Sequence, residues 1–313
     1  MSKLVQTHII GPEHAGRRLD NYLMGELKNV PKSYIYRIIR SGEVRVNGGR
    51  KKAASRLKIE DKVRIPPFRA ASREAPVISE KWIRTIAERV LYEDSHLLVI
   101  DKPAGIAVHS GSGLKFGVID ILKQAYGETL ELAHRLDKDT SGCLLLAKSP
   151  VVCRQLQEMF RNGTVTKQYH CLVKGRLTLA EISCDARLKT QRQEEGEAKT
   201  KVDPTGKTAK TNFRLMQNFR LNGANCALLD VSIETGRTHQ IRVHAKHLGH
   251  PIAGDQRYGD PAFNALVAKW SLPRMYLHAS RLQFSHPIEQ RSLEVQAPPP
   301  SDCANFLAHL RTE

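Results

Sequence analysis

His134-Arg135-Leu136-Asp137-Lys138-Asp139-Thr140-Ser141-Gly142 runs without a break into Cys143-Leu144-Leu145-Leu146-Ala147. The apolar run behind a glycine reads as a buried strand. The polar, charged run before it stands at the mouth of that strand, where chains commonly display binding and catalytic side chains. Taken singly, Asp137 is as well explained as a satisfied turn residue. Working outward, similar short apolar strands recur at Val90-Leu91-Tyr92, at Leu97-Leu98-Val99-Ile100 and from Ala227 to Ile233. Helical stretches interrupt them around 116–126, 150–161 and 238–248, and a terminal helix from Asp302 to Leu310 follows Ala297-Pro298-Pro299-Pro300. Strands and helices mixed without a regular βαβ rhythm predict an α+β fold, a mixed and mainly antiparallel sheet flanked by helices.

The charge is uneven. Lys and Arg outnumber Asp and Glu by 49 to 32 in 313 residues, a formal net charge of +17. Residues 16–69 alone hold 15 Lys or Arg against 5 Asp or Glu. A surplus of that size points to a polyanionic partner, because a basic face gains by releasing counterions from phosphates. Within this stretch Pro31 suits a first helical turn, Ile35, Ile38 and Ile39 share one face, and Gly42 is placed to end the helix. Arg37 and Arg40 then project to the other side. Val44-Arg45-Val46 alternates as a strand, Asn47-Gly48 is a strong turn signal, and Val63-Arg64-Ile65 is a second strand before Pro66-Pro67. The spacing divides the chain into an arm over 1–15, a small basic domain over 16–70, a Pro-, Ala- and Ser-rich linker over 71–85 and a large domain over 86–313.

Six cysteines (143, 153, 171, 184, 226 and 303) form no C-x-x-C pair and read as reduced core thiols. The start lacks the apolar segment of a secretion signal, and no stretch approaches the roughly 18 apolar residues that span a bilayer. A cytoplasmic protein without membrane attachment is expected. His239, His244, His247 and His250 raise the question of a metal, but no Cys pair and no H-E-x-x-H accompanies them, so no metal is expected. Gly206-Lys207-Thr208 mimics the end of a phosphate-binding loop, yet position 201 is Lys201 where the earlier glycine is required.

The run from Arg18-Leu19-Asp20 to Val44-Arg45-Val46-Asn47-Gly48 resembles the S4 RNA-binding domain. The string from His134 to Gly142 resembles motif II of the RluA-type pseudouridine synthases, H-R-L-D-x-x-T-S-G, at every specified position. Asp101-Lys102-Pro103-Ala104-Gly105-Ile106-Ala107-Val108-His109 is similar to that family's motif I, and Lys167-Gln168-Tyr169 to its K-x-Y segment. Glu234 to His244 (ETGRTHQIRVH) matches motif III. Leu248-Gly249-His250-Pro251-Ile252 with Gly254-Asp255, Leu277-His278-Ala279 and Phe284-Ser285-His286-Pro287 follow in the family's order. The variable part, Leu188 to Lys207, is charged and read as a loop.

The resemblance implies isomerisation of uridine to pseudouridine in RNA. The N1–C1′ bond breaks, the base turns, and C5 joins C1′. No redox change occurs, so no cofactor is expected. The uridine must be extruded into a pocket. The resemblance assigns Arg135 to the vacated space, where a planar guanidinium can stack on bases and bond phosphate; a structural ion pair with Asp139 or Asp137 is the alternative. Asp137 is implied as the essential carboxylate, attacking C1′, attacking C6 of uracil or removing a ribose proton. A carboxylate withdrawn from water needs a cation beside it, and motif III supplies Arg237 for that part. Tyr169 would present a ring to the base and a hydroxyl for proton handling, and Ile241 would pack the uracil from another side or serve as plain core. Lys167, Arg37, Arg40 and Arg45 are the further RNA-contact candidates. Combined with the S4-like segment, the pattern is nearest the group of this family that acts on large-subunit (23S) ribosomal RNA. A monomer with no obligatory protein partner is expected. The competing readings are a tRNA-directed synthase of the same family, a non-catalytic RNA-binding assembly factor and a metal-dependent hydrolase.

Overall fold

The computed structural model describes residues 4–27, 30–68, 78–110, 116–192 and 198–312, and the chain divides into two compact units at Val77/Ile78. The first unit runs β1 (Gln6–Ile9), α1 (Leu19–Glu26), α2 (Lys32–Ser41), β2 (Arg45–Val46) and β3 (Lys62–Ile65). Helix α2 buries Ile35, Ile38 and Ile39 and leaves Arg37 and Arg40 exposed, and Gly42 ends it in the left-handed conformation (φ 77°) that a side chain disfavours. Asn47 and Gly48 both take positive φ, as a two-residue hairpin turn requires, with Val46 and Gly49 exchanging backbone hydrogen bonds of 2.9 and 3.0 Å. The arm expected over 1–15 is not separate. Its residues Gln6–Ile9 pair antiparallel with β3, completing a sheet of order β1-β3-β2, and Ile10 joins the unit's core. The unpaired edge of β3 is what recruits them.

The second unit contains α3 (Glu80–Ala87), β4 (Val90–Glu93), β5 (Leu97–Lys102), α4 (Val118–Tyr126), β6 (Glu131–Leu132), β7 (Ser141–Ala147), α5 (Pro150–Asn162) and β8 (Thr166–Lys174). It continues with β9 (Glu181–Cys184), β10 (Leu188–Arg192), β11 (Ala198–Val202), β12 (Thr211–Leu221), β13 (Ala224–Ile233), α6 (Gln240–His247), α7 (Pro261–Lys269), β14 (Leu277–Ser285), β15 (Ser292–Gln296), α8 (Ser301–Ala308) and β16 (Arg311–Thr312). The large sheet runs β16-β12-β13-β8-β14-β7-β5-β4, with β15 on β14, β6 on β7 and β9 on β12. Among the described residues β7 and β14 pair in parallel and the remaining pairs of this sheet are antiparallel, so the fold is α+β around a mixed sheet. Both faces are covered. Leu98, Ile100, Leu144 and Leu146 face the core shared with α3 and α4, while Leu97, Val99, Cys143 and Leu145 face the core under α5, the period-2 alternation of strands. All six cysteines are buried.

Two expectations change in this unit. Residues 71–77 of the expected linker lie outside the described residues, but 80–87 form α3, whose Trp82, Ile83 and Ile86 pack onto the main core with Trp82 edge-on to Phe116 at 6.4 Å. Their i, i+1, i+4 spacing is a helical stripe that the preceding Pro, Ala and Ser obscured. The expected loop over 188–207 contains a hairpin, β10 paired antiparallel with β11, whose tip at 193–197 lies outside the described residues. Alternating threonines and lysines support it, with Thr190 and Thr200 hydroxyls bonded across the strands at 2.9 Å.

Candidate active site

Asp137 closes a tight turn onto Thr140 N–H (3.2 Å) at the entrance to β7. Gly142 makes the approach of β7 to β14 possible. Its φ is +108°, and a Cβ there would meet the Ala279 carbonyl oxygen at 2.2 Å. From the end of β5, the fully buried Lys102 donates to the carbonyls of Pro103 (2.8 Å), Ile106 (2.9 Å) and Lys138 (3.1 Å), while Gly105 N–H bonds Lys138 O at 2.9 Å. The segment expected as motif I thus clasps the Asp137 turn. Burial pushes the Lys102 ammonium down to about 7, against the pull of Asp139 and Asp137. His134 is structural: its Nε2 accepts the Leu145 N–H at 3.0 Å, its ring stacks on Phe160 at 4.7 Å, and burial holds it down to about 3, so it is neutral.

The facing wall comes from the β13–α6 junction. Arg242, in the first turn of α6, spans two carboxylates. Its Nε and Nη2 grip the buried Asp255 at 2.7 and 2.8 Å, and its Nη1 reaches Asp137 Oδ2 at 3.1 Å. Asp255 also accepts the backbone N–H groups of Arg257 and Tyr258. Burial works against the Arg242 charge, but Asp255 and Asp137 together raise its pKa above the ordinary guanidinium value. The Tyr258 ring lies 5.0 Å from the guanidinium carbon. His239, at the start of α6, has Nε2 3.8 Å from Asp137 Oδ2. The cleft between the walls is about 570 Å³ and open to solvent; Tyr169, Ile241, Ile233, Leu136 and Leu277 make its apolar lining. Tyr169 sits on β8 opposite Val231, and burial, with Asp137 nearby, pushes its hydroxyl up.

The structure therefore brings Asp137, Tyr169, Ile241, Arg135 and Arg237 to one cleft, with Arg135 and Arg237 on its exposed rim. Among the described residues Asp137 is paired with Arg242 and approached by His239, and Arg135 forms no ion pair with it or with Asp139. Two expectations are corrected. The cation on Asp137 is Arg242, not Arg237, whose Nε donates to Thr208 O at 3.0 Å. Arg237 lies in the turn before α6, whereas Arg242 stands in the first turn of the helix, on the side that meets Asp137. Lys167 is 5% exposed, its pKa lowered by burial, and it is poorly placed to meet phosphate. Arg37, Arg40 and Arg45 lie in the first unit. The first two are exposed and Arg45 is half-buried; Arg37 is paired with Glu43 at 3.0 Å and lies over the Tyr34 ring.

Sequence reading missed Arg242, Asp255 and Tyr258 as a set. The signal was present, since Arg242 lies in the same motif as Arg237 and Asp255 follows the quoted Gly254. It also missed the basic hairpin β10–β11, where exposed Lys189 and Lys201 stand directly opposite each other. The histidines of 239–250 do not converge on a metal. His244 bonds Thr211 Oγ1 and Ala186 O through its two nitrogens, both at 2.9 Å, and His250 bonds Lys174 O. Elsewhere Asp94, His286 and Glu289 lie close together, but two backbone N–H groups point at His286 Nδ1, so its other nitrogen donates to Asp94 at 3.0 Å. Asp94 also accepts from Tyr92 and from the His96 and Leu97 N–H groups, which leaves it no vacant position.

A solvated cleft with one carboxylate locked to a buried arginine and a tyrosine ring beside it, together with a separate basic helix–strand unit, suits an enzyme that acts on RNA. The class is RNA pseudouridine synthase. Residues 96–247 match the RNA pseudouridylate synthase family, residues 17–63 match the S4 domain, and the chain belongs to that synthase family. It is 43% identical over 313 residues to ribosomal large subunit pseudouridine synthase C of Vibrio cholerae (98% of this chain, 97% of that protein) and 44% identical over 308 residues to that of Escherichia coli (96% and 95%). Among solved structures, human RNA pseudouridylate synthase domain containing 4 aligns with a TM-score of 0.58 at 25% identity, over 74% of this chain and 96% of that one. Human RNA pseudouridylate synthase domain containing 1 aligns at 0.60 and 23% identity, over 72% and 88%, a likeness of fold.

Proposed function

We propose that the enzyme isomerises specific uridines of large-subunit (23S) ribosomal RNA to pseudouridine, with Asp137 as the essential group. The observation that carries the reading is the Asp137 carboxylate, which is 18% exposed, charge-matched by Arg242 and set beside an apolar lining that fits a uracil ring. The near full-length likeness to large-subunit synthases supports the choice of RNA. Breaking N1–C1′ leaves uracil as a leaving group. After C5 joins C1′, the C5 proton must leave and N1 must take one up. Asp137 serves by attack at C1′, attack at C6 or removal of a ribose proton, and Tyr169, which lines the cleft, handles the proton at C5. Arg135 and Arg237, on the rim, meet the flipped nucleotide's neighbours. Arg37, Arg40 and Arg45 hold the surrounding RNA. Lys189 and Lys201 on the hairpin, both within 3.9 Å of Asp203, add exposed positive charge for the RNA backbone. The enzyme acts as a cytoplasmic monomer, without cofactor, metal or obligatory protein partner. Among the described residues no helix is long and apolar enough to cross a membrane.

The test incubates purified protein with unmodified ribosomal RNA, and separately with tRNA, in EDTA, and maps pseudouridine by carbodiimide-stop sequencing. Asp137→Asn runs in parallel. New stops in large-subunit RNA that vanish in the variant are expected. Stops confined to tRNA would move the substrate assignment, and signal that persists in Asp137→Asn would remove Asp137 from the mechanism. No signal on either RNA would leave an RNA-binding assembly factor.

A further inference from the structure

His239 is held in a way that helix formation does not explain. It opens α6 with φ 55° and ψ 24°, the left-handed region where a residue with a Cβ is uncommon, and its side chain caps nothing. Glycine or asparagine would sit there with less strain. Instead the imidazole is fixed: Nδ1 lies 2.9 Å from the Tyr258 hydroxyl, and that hydroxyl accepts the Thr200 N–H from β11 at 3.0 Å. The phenol has one proton, and His239 Nδ1 is the acceptor within its reach. With Nδ1 accepting, a neutral ring carries its own proton on Nε2, the atom 3.8 Å from Asp137 Oδ2. The groups facing the ring are Asp137, Arg242, Arg257 and Asp255, and burial, opposed by Asp137, lowers its pKa, which keeps it neutral.

Resting on the reading of Asp137 as the reactive carboxylate, we propose that His239 is a positioning residue for the isomerisation. Its Nε2–H, aimed by Tyr258, closes onto Asp137 Oδ2 when the uridine is seated. Arg242 already bonds Oδ2. Two donors on one oxygen pin the carboxylate and leave Oδ1 as the atom that meets the nucleotide. Tyr258 serves both donors, since its ring also lies against Arg242. The hairpin strand β11 packs on α6 and supplies the N–H that orients the phenol, so the alignment of Asp137 depends on this chain of contacts.

Two amides separate the proposal from a backbone role. The amide nitrogen of Gln coincides with imidazole Nε2 and retains a donor toward Asp137. The shorter Asn reaches only the Nδ1 position but tolerates the left-handed backbone better. Single-turnover rates and RNA affinities are measured for His239→Gln, His239→Asn, Tyr258→Phe and Asp137→Asn on the same RNA. His239→Gln is expected to lose at most about threefold in rate, and His239→Asn and Tyr258→Phe about tenfold or more, with RNA affinity unchanged in all three. A rate for His239→Asn equal to or above that of His239→Gln would overturn the proposal in favour of backbone strain. Losses in affinity that match the losses in rate would overturn it in favour of RNA contact. If His239→Gln melts early, Asn and Tyr258→Phe decide alone, and wild-type rates in both would sink the idea. Turnover in Asp137→Asn would instead bring down the underlying reading of the site.

Discussion

Arg242→Lys isolates what the guanidinium fork does for Asp137 while keeping the positive charge. In the native cleft one side chain makes two bonds to Asp255, at 2.7 and 2.8 Å, and a third to Asp137 at 3.1 Å. A lysine ammonium is a single point on a flexible stem and cannot reproduce the planar fork. It will stay with Asp255, whose side chain is fully buried, because leaving that charge unpaired costs about 3–5 kcal/mol. Asp137 then loses its charge-assisted bond, worth about 1.5–3 kcal/mol. If that contact is felt in full in the transition state, the single-turnover rate falls about 10- to 150-fold, since 1.36 kcal/mol is tenfold. Because C5 exchanges its hydrogen for C1′, tritium released from RNA carrying [5-³H]uridine reads the reaction directly. RNA affinity by anisotropy and the melting midpoint are followed in parallel. The expected pattern is a slowed reaction, unchanged affinity and a moderately lowered melting point. A rate within twofold of wild type, or a loss of affinity as large as the loss of rate, would refute the placement of Arg242 on the reacting carboxylate.

Other perturbations test the scaffold and the RNA-binding unit. The folded pKa of Lys102, about 7, lies below that of an unfolded lysine, so the unfolded chain binds the extra proton between those values and stability from this group rises with pH over that window; below pH 7 the term is flat. The stability difference between wild type and Lys102→Met should therefore move in favour of wild type by on the order of 3 kcal/mol from pH 7 to 9.5, read by urea unfolding, and a pH-independent difference would contradict it. Gly142→Ala places a Cβ 2.2 Å from Ala279 O at φ +108° and should cost about 2–5 kcal/mol, a marked drop in melting midpoint; an unchanged midpoint would mean that β7 and β14 separate easily. Arg40→Ala removes an exposed cation of the first unit and should weaken binding to all RNAs alike, lowering the slope of log affinity against log salt by about 0.7–0.9. A sequence-selective loss with an unchanged slope would instead assign Arg40 to base recognition.

Much of the site was legible before folding, since Asp137 and its neighbours lie on a short, contiguous string whose order is itself informative. Four strands of the sheet (β4, β5, β7 and β13), α2 with its arginine face and the Asn47-Gly48 turn were legible too, because local periodicity and turn chemistry act over a few residues. Helix α3 was hidden by its Pro- and Ser-rich approach, and β10–β11 by charge that masked strand alternation.

Pairings across the chain could not be read in this way. Asp137 and Arg242 are 105 residues apart, and choosing Arg242 over Arg237 required knowing where α6 starts and which of its residues reach the Asp137 turn. The burial of Lys167, the anchoring of Lys102 under the Asp137 turn and the Thr200–Tyr258–His239 line depend on how strands stack in one sheet. The amino-acid sequence by itself determined the type of chemistry, because residue identity and local order carry it. Only the tertiary structure decided which charge meets the carboxylate, because a contact between distant side chains is set by sheet register and helix rotation, neither of which any local stretch encodes.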